Sequence, residues 1–289
     1  MLFQKKPMII FSHGNSFEAA VYGEFTQHLQ ARGYAVEAIQ KLGHDPAYPV
    51  TDNWPHLVRQ LADFIHMQVV KTPGQPVFLV GHSLGGFLSL MCAAQFPVIA
   101  GVPIQGVVLL DSPIIGGWKA KALRAAKKLR LIQFVSPGAV SQKRKSKWPS
   151  THAAYVHFRA KKNFFAWHND AVYRYVETFS KEPTGRRRLG FDRSIETAIY
   201  NTLPDNLEQI LANRPPQCPI AFIGGQQSSE LKRVGLKLTK KIARGRVRVV
   251  PGSHLFPIEN PLGSAAAVDA EILNMAALSW DSQSKKSQP

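Results

Sequence analysis

Gly81-His82-Ser83-Leu84-Gly85-Gly86 places a hydroxyl between glycines in the spacing G-x-S-x-G. A serine attacks a carbonyl only when its Oγ projects clear of the backbone and a base takes its proton. The pattern therefore carries chemistry only in a sharp turn from strand to helix. Here it follows the apolar run Val77 to Val80 and opens Leu84 to Phe96, a stretch of small and apolar residues that reads as a buried helix. Side chains at 81 or 85 would clash where strand and helix pass closely, which is the physical use of the two glycines. The bland use of such a turn is a capping serine with no chemistry. With Ser rather than Asp at the centre, the expected intermediate is an acyl-enzyme, not an ester on a carboxylate.

A nucleophilic serine needs a general base, expected late in the chain for the order serine, acid, histidine. Pro251-Gly252-Ser253-His254-Leu255-Phe256-Pro257 directly follows the last strand signal, so His254 falls on a loop at the same sheet edge as Ser83. The other histidines are worse placed. His82 neighbours the nucleophile but points elsewhere by strand alternation, His13 is expected to orient its own loop, and His152, His157 and His168 lie far from the strand signals.

The elements that must position these residues alternate. Met8 to Phe11, Tyr34 to Ile39, Val77 to Val80 and Val107 to Leu110 read as strands, and helical spacing fills Phe17 to Arg32, Leu57 to Val70 and Leu84 to Phe96. Such alternation builds a parallel sheet. After Pro113 the strands stop until Ile220 to Ile223 and Val247 to Val250. A last helix, Ala265 to Leu278, precedes a polar tail. The expected organisation is a core of residues 1–112 and 216–280, a helical insertion over 113–215 and a disordered tail over 281–289.

On the His13-Gly14 loop, the Gly81 to Gly85 turn and the Gly252 to Pro257 histidine loop, the chain resembles the α/β-hydrolase superfamily. The resemblance implies an α/β fold with a mostly parallel sheet of about six strands flanked by helices, and a helical cap where the insertion lies. The leading hairpin of larger members is expected to be missing. It also implies an oxyanion hole from the backbone amides of Asn15 and Leu84. The acid is less plain. The loop where most members carry it reads Gly224-Gly225-Gln226-Gln227-Ser228-Ser229-Glu230, with Gln or Ser where Asp is usual. Asp111 ends the strand after the nucleophile helix, and some members place the acid there; Glu230 is the alternative. Asp111 is preferred, because a carboxylate closing an otherwise apolar strand needs a partner. For Glu230 the competing reading is a solvated charge at a helix start.

The resulting expectation is a serine hydrolase cleaving a carboxylic ester or thioester through Ser83, His254 and Asp111. Amide or carbon-carbon bond hydrolysis, acyl transfer, or a noncatalytic binding role on the same fold are the alternatives. No metal-ligand spacing appears, and no cofactor is expected. His44-Asp45, after the second strand, could line the entrance.

Charge is unevenly placed. The chain carries a net +17, and residues 112–214 hold 20 Lys/Arg against seven Asp/Glu. The readings are a solvated cap surface, steering of an anionic substrate or acidic carrier protein, or contact with an anionic membrane. Nucleic acid is the weakest partner class, since no recognition motif accompanies the charge. Trp118, Trp148, Phe158, Phe164, Phe165 and Trp167 give the insertion apolar material for packing on the core or lining a pocket. A chain of 289 residues with 45% hydrophobic composition is expected to bury one large core. Cys92 and Cys218 are too few for a disulfide scaffold and are expected to be reduced. Lys5 and Lys6 precede only a short apolar run, so no signal peptide is evident and a cytoplasmic location is expected.

Overall fold

The computed structural model describes residues 6–284. Residues 1–5, which include Lys5, and 285–289 lie outside the described part. The first half of the chain supplies β1 (Met8–Ser12), α1 (Gly23–Ala31), β2 (Ala35–Ile39), α2 (Pro55–Lys71), β3 (Val77–His82), α3 (Leu84–Gln95), β4 (Val98–Ile99) and β5 (Val102–Leu110). A 3-10 turn, Ala19–Tyr22, precedes α1 where the spacing predicts one helix from Phe17.

Strands in this segment alternate their side chains between two clusters. Met8, Ile10, Val77, Leu79, Val107 and Leu109 join one core, while Ile9, Phe11, Phe78, Val80, Val108 and Leu110 join the other. The two-residue period puts neighbours on opposite faces, and both faces are covered, which is why the strands read as unbroken apolar runs. Helices α2 and α3 close the first face through Leu57, Leu61 and Leu88, and α1 closes the second through Phe25 and Leu29.

The chain then leaves the sheet. The insertion contains α4 (Gly117–Lys128), α5 (Ile132–Val135), α6 (Gly138–Lys143), β6 (Lys147–Trp148), α7 (Thr151–Arg159), α8 (Asn169–Glu177), β7 (Ser180–Lys181), β8 (Arg187–Arg188), α9 (Arg193–Asn201) and α10 (Leu207–Asn213). It is not wholly helical as expected, because β6, β8 and β7 pair into a small antiparallel ribbon. Two-residue strands such as Lys-Trp and Arg-Arg are too short to carry a period, so the sequence gives no signal for them. Trp148, Phe158, Phe164 and Trp167 pack with Phe11, Val80 and Phe256 in the second core, so the insertion is seated on the sheet domain by aromatic burial. Trp118 and Phe165 instead face solvent.

The sheet resumes with β9 (Ile220–Gly225), followed by α11 (Ser229–Val234), α12 (Lys237–Ile242), β10 (Val247–Val250), α13 (Phe256–Glu259) and α14 (Pro261–Ser284). Helix α14 packs beside α1 through Val268 and Ile272, and it continues through Ser284 where a disordered tail is expected from 281. The main sheet runs β10-β9-β5-β3-β1-β2 with every neighbour parallel, and β4 adds an antiparallel seventh strand against β5. The six-strand expectation describes this path but omits β4.

Strand order reverses between β1 and β3, because the chain moves outward to β2 and then returns past β1. At such a point the loops leaving the carboxyl ends of the strands diverge and open a crevice. The segments after β1, β3, β5, β9 and β10 carry His13, Ser83, Asp111, Ser228 and His254, all at this one edge. No described helix is long and apolar enough to cross a membrane.

Candidate active site

Ser83 caps the start of α3 with φ 52° and ψ −114°, a conformation L-residues rarely hold. Its N-H donates to Leu110 O at 2.9 Å, and its carbonyl accepts the Ser112 hydroxyl at 2.9 Å. A Cβ on Gly81 would stand 2.2 Å from Gly85 O, and one on Gly85 would stand 2.1 Å from Ser12 O. Only glycine lets strand, helix and the β1 end meet this closely. Ser83 Oγ has no hydrogen-bond partner among the described residues.

Asp111 is buried, with φ 45°, one residue beyond β5. Its Oδ1 accepts Gly225 N-H at 2.9 Å, and its Oδ2 accepts the Ser228 hydroxyl at 2.5 Å and His254 Nδ1-H at 2.6 Å. With Nδ1 donating, Nε2 of the neutral ring keeps its lone pair, the tautomer this network requires. Burial pulls the His254 pKa down, but the hydrogen bond to Asp111 and the charges of Glu230, Asp111 and Glu259 outweigh it and hold the pKa above 6.5. Glu230 lies in the first turn of α11, half-buried, with Oε2 3.7 Å from His254 Nδ1. It accepts the Ser229 hydroxyl at 2.8 Å and acts on the imidazole through space.

Ser253 fixes the histidine loop: its N-H and hydroxyl both reach the Glu259 carboxylate. Asp111, Glu230 and His254 offer three atoms within 4.8 Å that could hold a metal ion. A cation there would have to displace the Nδ1 proton and the Ser228 and Gly225 donors already on Asp111.

The backbone N-H groups of Leu84 and Asn15 have no hydrogen-bond partner among the described residues, although both residues are buried. Their neighbours are all used: Gly14 N-H goes to Tyr22 Oη, Ser16 N-H to Asn15 Oδ1, and Gly85 N-H to His13 O. Backbone donors left without a partner in this way are available to an anion. The loop that carries Asn15 is pinned from the insertion. Asn15 Nδ2 donates to Glu196 O at 3.1 Å, and Ser16 Oγ donates to the Glu196 carboxylate. Arg144 Nη1 meets both Glu196 oxygens at 2.8 Å, and Arg144 Nη2 donates to Tyr175 Oη at 2.8 Å. Sequence reading missed this cluster, since Ser16, Arg144 and Glu196 share no spacing.

His13 orients its loop as expected, with Nδ1-H on Gly14 O and Nε2 accepting Leu42 N-H; burial drives its pKa down to about 4. His44 donates to Leu42 O and accepts Asp192 N-H, tying the β2 loop to the insertion.

His82 turns no ring nitrogen to Ser83, in keeping with strand alternation, but it is not idle. Its Nε2-H donates to His254 O at 2.8 Å, and its Nδ1 accepts the Tyr22 hydroxyl at 2.7 Å, which in turn accepts Gly14 N-H at 3.2 Å. Burial, then the neighbouring His254, lowers the His82 pKa to about 3, so this chain of bonds keeps one protonation state. Tyr22→Phe leaves the Gly14 donor and the His82 acceptor buried and unpaired. The expected stability loss is about 2 kcal/mol in urea denaturation. A loss below about 0.5 kcal/mol would mean that water or rearrangement satisfies both groups.

A mostly parallel sheet with reversed strand order, a serine on a strained strand-to-helix turn, and a histidine-carboxylate pair on later loops define a hydrolase-type α/β protein. The chain belongs to the alpha/beta hydrolase family, whose sequence profile matches residues 9–267. It is 28% identical over 135 residues to the monoglyceride lipase of Rattus norvegicus, a stretch covering 46% of this chain and 43% of that protein. The match thus spans less than half the length of this curated relative. Among solved structures it is similar to E-2-(acetamidomethylene)succinate hydrolase, with TM-score 0.67, 22% identity, and coverage of 93% of this chain and 92% of that one. It is also similar to a thioesterase domain from the curacin biosynthetic pathway, with TM-score 0.64, 20% identity and 90% coverage of both chains.

Proposed function

We propose that this chain is a serine hydrolase acting on a carboxylic ester, or on a thioester at the same site. The observation that carries the reading is the His254 Nδ1 to Asp111 Oδ2 hydrogen bond of 2.6 Å beside a serine held at φ 52°. Ser83 Oγ attacks the acyl carbonyl while His254 Nε2 takes its proton. The oxyanion forms against the Asn15 and Leu84 amides, the two donors left without partners. His254 then returns the proton to the leaving alcohol or thiol, and the acyl-enzyme is hydrolysed by water activated in the same way. Asp111 holds the imidazole in the required tautomer and stabilises it when protonated. The ester preference draws on the monoglyceride lipases among the relatives.

The test is covalent labelling of the folded chain with a fluorophosphonate, followed by hydrolysis of p-nitrophenyl esters, monoacylglycerols and acyl thioesters. Stoichiometric labelling with turnover of an ester is expected. A folded chain that neither labels nor turns over any of them would overturn the reading and leave the noncatalytic alternative.

The base must be neutral to accept the serine proton, so kcat/KM is expected to fall as pH drops through the raised His254 pKa, above 6.5. Glu230→Gln removes one of the charges that raise it, so the acid limb moves to lower pH while the plateau changes little. A pH-rate profile of both proteins checks this, and an unmoved limb would remove Glu230 from the electrostatics of the site.

A further inference from the structure

From Ser112 to Asn169 the sequence has thirteen Lys or Arg and no Asp or Glu. Helix α4 opens this stretch, and its apolar residues recur at Trp118, Ala122, Ala125 and Leu129, the spacing of a single helix face. In a core-packed helix that stripe would be buried. Here all four residues are exposed, and the buried side of α4 is marked instead by Ala120. The apolar surface continues past the helix, where Leu131, Phe134 and Val140 are also exposed, Phe134 by 73% and Val140 by 75%.

Cations flank this surface. Within the segment Arg124, Lys127 and Arg144 are drawn into ion pairs with Asp52, Asp205 or Glu196. Lys121, Lys128, Arg130, Lys143 and Lys145 are exposed and make no ion pair among the described residues.

We propose that the α4 to α6 face of the cap is a docking surface for an anionic phospholipid bilayer. An outward apolar stripe edged by lysines is the arrangement that lets aliphatic stems and rings enter the headgroup boundary while ammonium groups stay at its charged plane. The absence of any acidic residue over the segment matches a surface of one sign, which a negatively charged leaflet presents. Nucleic acid would complement the charge, but its phosphate backbone would give the exposed Trp118, Leu129, Phe134 and Val140 no apolar surface to bury against. The inference goes beyond the hydrolase reading and does not depend on it: α4 begins outside the Ser83, His254 and Asp111 cluster, and docking requires no chemistry at Ser83.

The test is co-sedimentation of the whole chain with vesicles of phosphatidylcholine alone and of phosphatidylcholine mixed with phosphatidylglycerol, at low and high salt. The Ser83→Ala protein is run in parallel. Both proteins are expected to bind the mixed vesicles, to bind zwitterionic vesicles far less, and to dissociate at high salt. The double charge reversal K121E/K128E is expected to weaken binding by more than about tenfold, since each basic residue near the surface contributes about fivefold. The double truncation W118A/L129A is expected to weaken it as well, with circular dichroism unchanged for both variants. Failure to bind mixed vesicles overturns the proposal, as does binding unaffected by either double variant. Retention on duplex DNA that depends on Lys121 and Lys128, without vesicle binding, overturns it in favour of nucleic acid. Binding by Ser83→Ala separates the outcome from any failure of the hydrolase reading.

Discussion

Ser83→Ala is expected to abolish fluorophosphonate labelling and to lower ester hydrolysis about 10⁴-fold or more, equivalent to about 5.5 kcal/mol of transition-state stabilisation. The same change should leave stability almost untouched. Ser83 Oγ has no hydrogen-bond partner among the described residues, and alanine at φ 52° carries the same backbone strain as serine. The combination is diagnostic, because a serine kept only to cap a helix would show the reverse: hydrolysis retained and stability lost by about 1 kcal/mol. Labelling mass and thermal melts of the two proteins measure both halves. Residual hydrolysis within tenfold of the parent would show that the activity measured does not pass through this residue.

Asp111→Asn carries the second large effect, and the hydrogen-bond geometry shows why. Both oxygens of Asp111 accept: Oδ1 from Gly225 N-H, Oδ2 from Ser228 and from His254 Nδ1-H. An amide has only one acceptor oxygen. If that oxygen serves Gly225, the amide NH₂ faces His254 and favours the tautomer protonated on Nε2, which cannot take the serine proton. If the oxygen serves His254, a buried NH₂ confronts the Gly225 N-H. Turnover is expected to fall about 10⁴-fold, and stability by about 1 to 3 kcal/mol from the buried donor left without a partner. Glu230→Gln, which removes a charge 3.7 Å from the ring but no hydrogen bond to it, is expected to stay within about tenfold of the parent. Kinetics of the pair decide the acid: a crippled Glu230→Gln beside a competent Asp111→Asn would transfer the role to Glu230.

The insertion behaves differently from the core in how much of it can be read in advance. Val77 to Val80 and Val107 to Leu110 announce themselves because strands covered on both faces have no polar positions, and the turn at Ser83 does so because only glycine fits against Gly85 O and Ser12 O. The ribbon of β6, β7 and β8 is silent in sequence, being three pairs of residues without a period. The Arg144-Glu196-Ser16 cluster is equally silent, since its members are brought together by the docking of α9 over the His13 loop. The same holds for the Tyr22-His82 chain, because strand alternation tells which way His82 points but not what it meets.

Local chemistry by itself determined the alternation of strand and helix, the strained serine turn and the histidine loop, because each depends on residues adjacent in the chain and on steric rules that act over a few positions. It left two carboxylates open, Asp111 and Glu230, 143 and 24 residues from His254. Only the tertiary structure decided which of them touches the ring. The pairing of β5 with β9, and of β9 with β10, brings the ends of three strands to one edge, and it aims Asp111 at Nδ1 while Ser228, in the loop where an acid is usual, becomes a donor to that same carboxylate. Strand order is a property of the whole core, settled by which apolar faces bury one another, so the contact it creates is written in no local spacing.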